Sequence, residues 1–480
     1  MSEEITDQGP DHATGIDKWF YYDPVEISCQ IENIHGQIPE WLRGSYYLNG
    51  PARFERNGFR YKHWLDGDGM LRALHFTDQG VEFISKFVET VKLRAERNAG
   101  KFIYRTFGTS FEGDLLRRDV MLEPPVNVSV YPFAEKLLAF AEQSIPIEID
   151  SSTLETGEEF DFHSKLNQIS PFSAHPKFDP LTGQMVNFGI SFSNRNPMLH
   201  LYQFEADASL STRRRFPIEM AYTNHDFALS PHFAVFFFSP LVMDFESFWT
   251  GGASVMEALR WLPQNPSYLY VAPRERGKNS FSIERPGGHC LHLINAFEEG
   301  DLLTVDLIEF PSPIYPEYQP VPEFYKSVEA GGPVRYVIDT LNHRLLERIS
   351  MNYDRAPDFP ATDPRKVTQP YEHFWMLGIT DIDHKGRKFF DQLAHGSWKE
   401  GDVNDIYQSQ KDHYLGGEPV LLPHPDSVDR GLIIIQCFDS KSDQVEFQLF
   451  DCQNVSSGPV ARLPLKHKTP PGFHASFQSH

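Results

Sequence analysis

Two groups of residues in this 480-residue chain could do chemistry. One is the stretch HWLDGDGM, His63 to Met70, in which two aspartates alternate with two glycines. Alternating acids can bind a divalent cation, but an EF-hand loop closes on a glutamate, and here LRALHF follows instead. Asp-Gly between the runs RYKHWL and MLRALHF predicts a hairpin turn, because glycine takes positive φ without a Cβ clash. The other group is the histidines. There are 20, each able to bind a metal or move a proton near neutral pH, yet a histidine taken alone is more often a surface or core residue than a ligand. The four cysteines, Cys29, Cys290, Cys437 and Cys452, form no CxxC pair, which argues against a thiolate zinc site or a disulfide framework.

The elements that must position such residues read as strands. Apolar runs rich in Val, Ile, Phe and Tyr (KLLAFAE, QMVNFGISF, HFAVFFF, LLTVDLIEF, GLIIIQCF) recur between clusters of Gly, Pro, Asp and Asn. Thirty-two glycines and 36 prolines leave little room for long helices; only SVMEALRWL, Ser254 to Leu262, has helical periodicity. The class is all-β. No WD or kelch repeat is present, but many short strands without a linker favour one propeller over two sandwiches. Residues 1–15 are expected to form a mobile tail, and 16–480 a single domain.

A net charge of −22 disfavours a nucleic-acid partner, since a phosphate backbone needs a positive footprint. The acidic N-terminus MSEEITDQGPDHATG has no basic or apolar region of a secretory signal, so a cytoplasmic location is expected. The longest apolar run, Phe233 to Met243, is too short to span a bilayer.

GSYYLNGPARFE (Gly44 to Glu55), HWLDGDGMLRALHF and KFVET (Lys86 to Thr90) resemble the opening of the carotenoid cleavage oxygenase family, and the resemblance runs from about Gly44 to the C-terminus. It implies a seven-bladed β-propeller with a helical and loop cap over an axial iron. The matching histidines stand in SAHPKFDPLTG (His175), NHDFALS (His225), CLHLINAFEEGD (His292) and PPGFHASF (His474). Their wide spacing suits ligands drawn from separate blades rather than a local helical motif. His289 and His292, three apart, would face opposite sides of a strand, so only one can reach the axis, and the motif selects His292. His232 reads as a loop histidine.

Metal-bound imidazoles usually donate their other N–H to a carboxylate. The resemblance implies Glu142 (LLAFAEQS) and Glu418 (GGEPVLLP) in that role, and Asp358 (PDFPATDPRKV) where the family has glutamate. The shorter aspartate is expected to need a shift of strand or histidine, or a bridging water. Ala475 replaces the family's glycine after the last ligand. Leu291 and Phe359, beside a ligand and an acid, are the expected tunnel-lining residues.

The activity implied is cleavage of a C=C bond by Fe(2+) and O2 to give aldehydes, on a carotenoid or apocarotenoid, at the central 15,15′ bond and yielding retinal or a relative. Stilbene cleavers in the family resemble one another in a lysine before the first acid; Ala141 stands there, which disfavours a phenolate. Cleavage of a stilbene or other phenylpropanoid alkene is the alternative within the fold. A non-catalytic propeller that binds lipid or protein is the alternative of a different class. Because carotenoids lie in membranes, residues 236–262, FFFSPLVMDFESFWTGGASVMEALRWL, are the expected peripheral docking patch.

Overall fold

In the computed structural model, which describes residues 13–191, 196–318, 323–428 and 430–480, seven sheets of four or five antiparallel strands form the blades of a propeller. In chain order, blade one is built on Gly44–Ala52, Asp68–Thr77 and Gly80–Phe87, and blade two runs from Ser129–Phe133 to Thr156–Glu159. Blades three to six start with the short inner strands Lys177–Phe178, Ala228–Leu229, Leu293–Glu299 and Asp358–Thr362. Blade seven starts with His413–Pro423.

Both ends of the chain close the ring. The C-terminal strand Ala475–Ser479 pairs with Gly44–Leu48 and becomes the inner strand of blade one. His35–Gly36 pairs with Ala461–Arg462 on the outer edge of blade seven. Closure of this kind leaves no open edge through the ring. It also makes the blades less regular along the sequence: two of the seven sheets take strands from both ends of the chain.

The expected strands form as read: Lys136–Phe140, Met185–Ser191, Phe233–Phe238, Leu302–Glu309 and Gly431–Asp439. Between Phe233 and Phe238 every residue but the first is buried, as in a strand covered on both faces by neighbouring blades. Of the expected tail, residues 1–12 lie outside the described residues, while Ala13 is buried and donates its N–H to Arg387 O.

Three expectations are corrected. HWLDGDGM is not a hairpin turn. His63 caps a short 3-10 turn, Trp64–Asp66, and strand pairing resumes at Asp68. The tight hairpin lies just upstream at Asn57-Gly58, both at positive φ, between Glu55–Arg56 and Phe59–Arg60. Gly69 is needed for close approach, since a Cβ there would meet Val126 O at 2.0 Å.

SVMEALRWL is helical only over Val255–Ala258, capped by Ser254 and Glu257; Leu259–Trp261 then pairs as a strand with Leu241–Met243. The third correction concerns 236–262 as a docking patch. Phe236, Phe237 and Phe238 are buried inside blade four and Phe245 and Phe248 are buried beneath it, leaving Trp249 as the exposed large apolar side chain of the segment. Among the described residues no helix is long and apolar enough to cross a membrane.

The connections between blades build the cap. Arg105, from the loop after blade one, donates to Phe248 O and Ala253 O, and Met256 N donates to Phe107 O. His63 Nδ1 accepts from Leu65 N, so its Nε2–H donates to Tyr315 O at 2.9 Å and ties a third loop to the first two.

Candidate metal centre

His175, His225, His292 and His474 stand immediately before, or two or three residues before, the inner strands of blades three, four, five and one. Each therefore projects from a loop at the axial end of its blade. The four rings bring one nitrogen each to within 4.8 Å of one another. His175 Nε2 and His225 Nε2 are 2.8 Å apart, and the ring of His175 lies 4.3, 5.3 and 4.4 Å from those of His225, His292 and His474. Metal–imidazole bonds of about 2.1 Å place adjacent ligand nitrogens about 3 Å apart, so this spacing accommodates one transition-metal ion. His292 Nε2 is buried with no hydrogen-bond partner among the described residues, as a nitrogen reserved for a metal would be.

Three of the four outer nitrogens face acids. His292 Nδ1 donates to Asp358 Oδ1 at 2.5 Å, His225 Nδ1 lies 2.8 Å from Glu142 Oε1, and His474 Nδ1 lies 3.4 Å from Glu418 Oε2. The three acids sit on blades six, two and seven, so each of the seven blades supplies one residue to the ring of histidines and acids. The shorter Asp358 reaches its histidine directly, from an irregularity in its strand. A bulge between Asp358 and Ala361 and a positive φ of 52° at Phe359 turn the backbone, and Phe359 N donates to Asp358 Oδ1. Glu418 is placed by a similar irregularity, with Gly417 at φ 78° and Ala475 N donating to Glu418 Oε2.

Burial lowers His175 well below the ordinary imidazole range, reinforced by the other three rings, and lowers His474 against the pull of Glu418. Burial also acts downward on His292, but the charge and hydrogen bond of Asp358 outweigh it, leaving that histidine raised.

Sequence reasoning missed Asp226, although it sits in the NHDF motif next to His225. Its Oδ2 accepts from Leu293 N, beside His292, and its Oδ1 lies 2.7 Å from Lys177 Nζ and 3.8 Å from His175 Nδ1. One buried carboxylate thus fastens three of the four ligand turns. The strand argument separating His289 from His292 does not describe this turn, although His292 is the one that joins the cluster. The strand begins only at Leu293, and His289 lies in an isolated bridge to Phe310, buried outside the four-histidine cluster. His232 is a surface residue, 67% exposed and paired with Glu298. Leu291 and Phe359 are both buried, and the Phe359 ring lies 5.6 Å from His292 and 5.3 Å from His474. Ala141 is buried in the apolar core with Tyr47, Leu71 and Val130.

Residues 22–479 match the model of the retinal pigment epithelial membrane protein family, that of the carotenoid oxygenases. The chain belongs to this family. Among carotenoid-oxygenase relatives, an apocarotenoid-15,15′-oxygenase of Synechocystis sp. is 28% identical over 470 residues, covering 95% of this chain and 94% of the relative. An isoeugenol monooxygenase of Pseudomonas putida is 26% identical over 478 residues, covering 95% and 96%. The crystal structure of cobalt-substituted Synechocystis apocarotenoid oxygenase superposes with a TM-score of 0.89 at 27% identity, covering 98% of this chain and 100% of that one.

Proposed function

We propose that this carotenoid-oxygenase family member is a non-haem iron enzyme in which His175, His225, His292 and His474 hold Fe(2+), and that it cleaves one C=C bond of a carotenoid or apocarotenoid with O2. The observation that carries this reading is the convergence of four imidazole nitrogens, with acids facing three of the outer nitrogens. Imidazole suits ferrous iron, and four neutral ligands preserve the ion's charge. Bound there, iron supplies a site at which dioxygen is activated beside the alkene. The overall reaction balances without an external reductant, because one C=C and one O2 become two C=O groups.

The protein's own part is positional. Asp358, Glu142 and Glu418 hold Nδ1–H outward, so that each Nε2 lone pair points to the centre. Phe359 and Leu291 supply apolar surface that positions the alkene and excludes water. No side chain is required as a general base. Ala141 brings no cation for a phenolate, which supports an apocarotenoid polyene, and the Synechocystis relative supports the central 15,15′ bond and retinal-type products. The isoeugenol monooxygenase supports the alternative of a phenylpropanoid alkene.

The test is a paired assay. Protein with its iron content measured is given an apocarotenal and, separately, a hydroxylated stilbene, and aldehydes are identified by mass spectrometry. Retinal from the first alone is the expected result. Benzaldehydes from the second alone would transfer the substrate class to the phenylpropanoids, and protein that takes up no stoichiometric iron would overturn the enzyme reading.

A further inference from the structure

His289 is buried to 1% exposure, and neither ring nitrogen has a hydrogen-bond partner among the described residues. Buried polar groups are nearly always answered, and leaving both nitrogens of one ring unanswered costs stability that a phenylalanine in the same space would not. The ring lies edge-on to two aromatics, with centroids 6.5 Å from Trp261 and 6.1 Å from Tyr315. That is the packing of an apolar wall with a polar residue set into it.

Its neighbours border a surface depression, and its electrostatic surroundings include the histidine ring. Gly288, next in the chain, Phe310, its bridge partner, and Trp261 all line a surface depression of about 670 Å³, a volume in the range of small-molecule sites. His289 is close enough to feel the charges of Asp358, His225 and His292, and Tyr315 those of Glu142 and Asp358. Burial pushes His289 down to about 3, so at neutral pH it is an uncharged ring with one N–H donor and one nitrogen acceptor. A neutral donor and acceptor matches a hydroxyl or a carbonyl oxygen; it gives no special advantage to a carboxylate.

We infer that His289 is a specificity-determining residue that hydrogen-bonds a neutral oxygen function, hydroxyl or carbonyl, on the alkene substrate. The inference rests on the proposed function and narrows it: the substrate is an oxygenated alkene rather than a hydrocarbon. A site built to answer an oxygen discriminates strongly against the analogue that lacks it, because the partner is then left unpaired.

The test uses iron-loaded protein without oxygen, so that binding is read without turnover, by quenching of tryptophan fluorescence. Two matched pairs of probes are titrated: an apocarotenal with the polyene hydrocarbon of the same length, and 4-hydroxystilbene with stilbene. In at least one pair the oxygenated member should bind about tenfold more tightly, equivalent to about 1.4 kcal/mol. His289→Phe should erase that preference by weakening the oxygenated member alone, and His289→Gln, which keeps a donor and an acceptor, should restore part of it. A preference in the apocarotenal pair identifies a polyene substrate. A preference confined to the stilbenes also supports the role of His289, while assigning it a phenol. Equal binding of both members in both pairs, or an equal loss for both members in His289→Phe, overturns the inference even if cleavage is intact. Conversely, a preference that survives in protein cleaving neither oxygenated probe would refute the proposed activity and leave the role of His289 standing.

Discussion

Two of the buried ionisable clusters in this molecule are wired in opposite ways. Near blade one, Lys92 Nζ lies 2.8 Å from Asp68 Oδ1 and 2.9 Å from Glu96 Oε2, with all three side chains at 0 or 1% exposure. Glu96 also accepts from Ile103 N and Tyr104 N, so opposite charges and backbone donors answer one another. At the axis, three of the four histidines turn their outer nitrogens to acids, and all four bring one nitrogen to a shared centre. A network closed on itself holds the fold; one with donor atoms left over is equipped to hold something else. The aspartates of HWLDGDGM belong to the closed kind: Asp68 pairs with Lys92, and Asp66 accepts from Gly108 N and Thr109 Oγ1.

Removing a member of each cluster should separate the two behaviours. His292→Ala takes away one of the four converging nitrogens, and the expected result is protein that folds but retains little iron and loses cleavage to background. Metal analysis beside circular dichroism checks both halves. Lys92→Met removes the buried cation that Asp68 and Glu96 share, and stability should fall by about 3–5 kcal/mol in denaturant unfolding. Iron per folded molecule should be unchanged in that variant; a loss of iron would mean that the two clusters are coupled through blade one.

The contrast also marks what was legible in the sequence. The strands were, because Val, Ile and Phe runs between turn residues report burial directly. The four converging histidines were, through motifs that match a family, and their convergence required only that each stand at or just before the start of an inner strand. Asp66 and Asp68 were misread because acidic residues beside glycine have the same composition whether they face a cation, a turn or a buried lysine, and Lys92 lies 24 residues away from Asp68. The helix expected over Ser254 to Leu262 failed at Leu259 for a similar reason: helical periodicity was outweighed by pairing with Leu241–Met243, a tertiary contact. Asp226 escaped notice because its partners, Lys177 and Leu293 N, come from two other blades.

Within the axial cluster, Asp358→Asn should weaken iron retention by about 10–100-fold, the usual cost of losing the carboxylate that orients a ligand histidine. Chelator competition measures it. Asp358→Glu restores the charge but must fit a longer side chain beside the bulge at Phe359, so partial recovery is expected.

A smaller effect follows from pH. Unfolded, His289 takes up a proton below about 6.5, whereas in the fold burial delays this to about 3. Between those values the unfolded chain binds more protons, so the neutral ring's contribution is present above pH 6.5 and is lost as pH falls, by about 1.4 kcal/mol per pH unit. His292, held raised by Asp358 despite burial, acts in the opposite direction. Comparing wild type with His289→Phe isolates the first group: the variant should lose less stability between pH 7 and pH 5, and parallel curves would show that His289 is protonated in the fold.

The fourth histidine sharpens the comparison further. Of the four histidines, His175 alone has no carboxylate within 3.5 Å of its outer nitrogen among the described residues; Asp226 stands at 3.8 Å and lies 2.7 Å from Lys177. Lys177 is partly exposed, at 23%, so the closed kind of pairing here borders the open kind. Lys177→Met should free Asp226 to move toward His175, and the fourth ligand would then be oriented as the other three are. The expected result is a change of only a few-fold in iron dissociation, toward slower release, because a single second contact of this sort is worth less than losing one outright. Faster release would instead mean that Asp226 serves mainly as an anchor between Leu293 N and Lys177, and that His175 is positioned by its neighbouring rings alone.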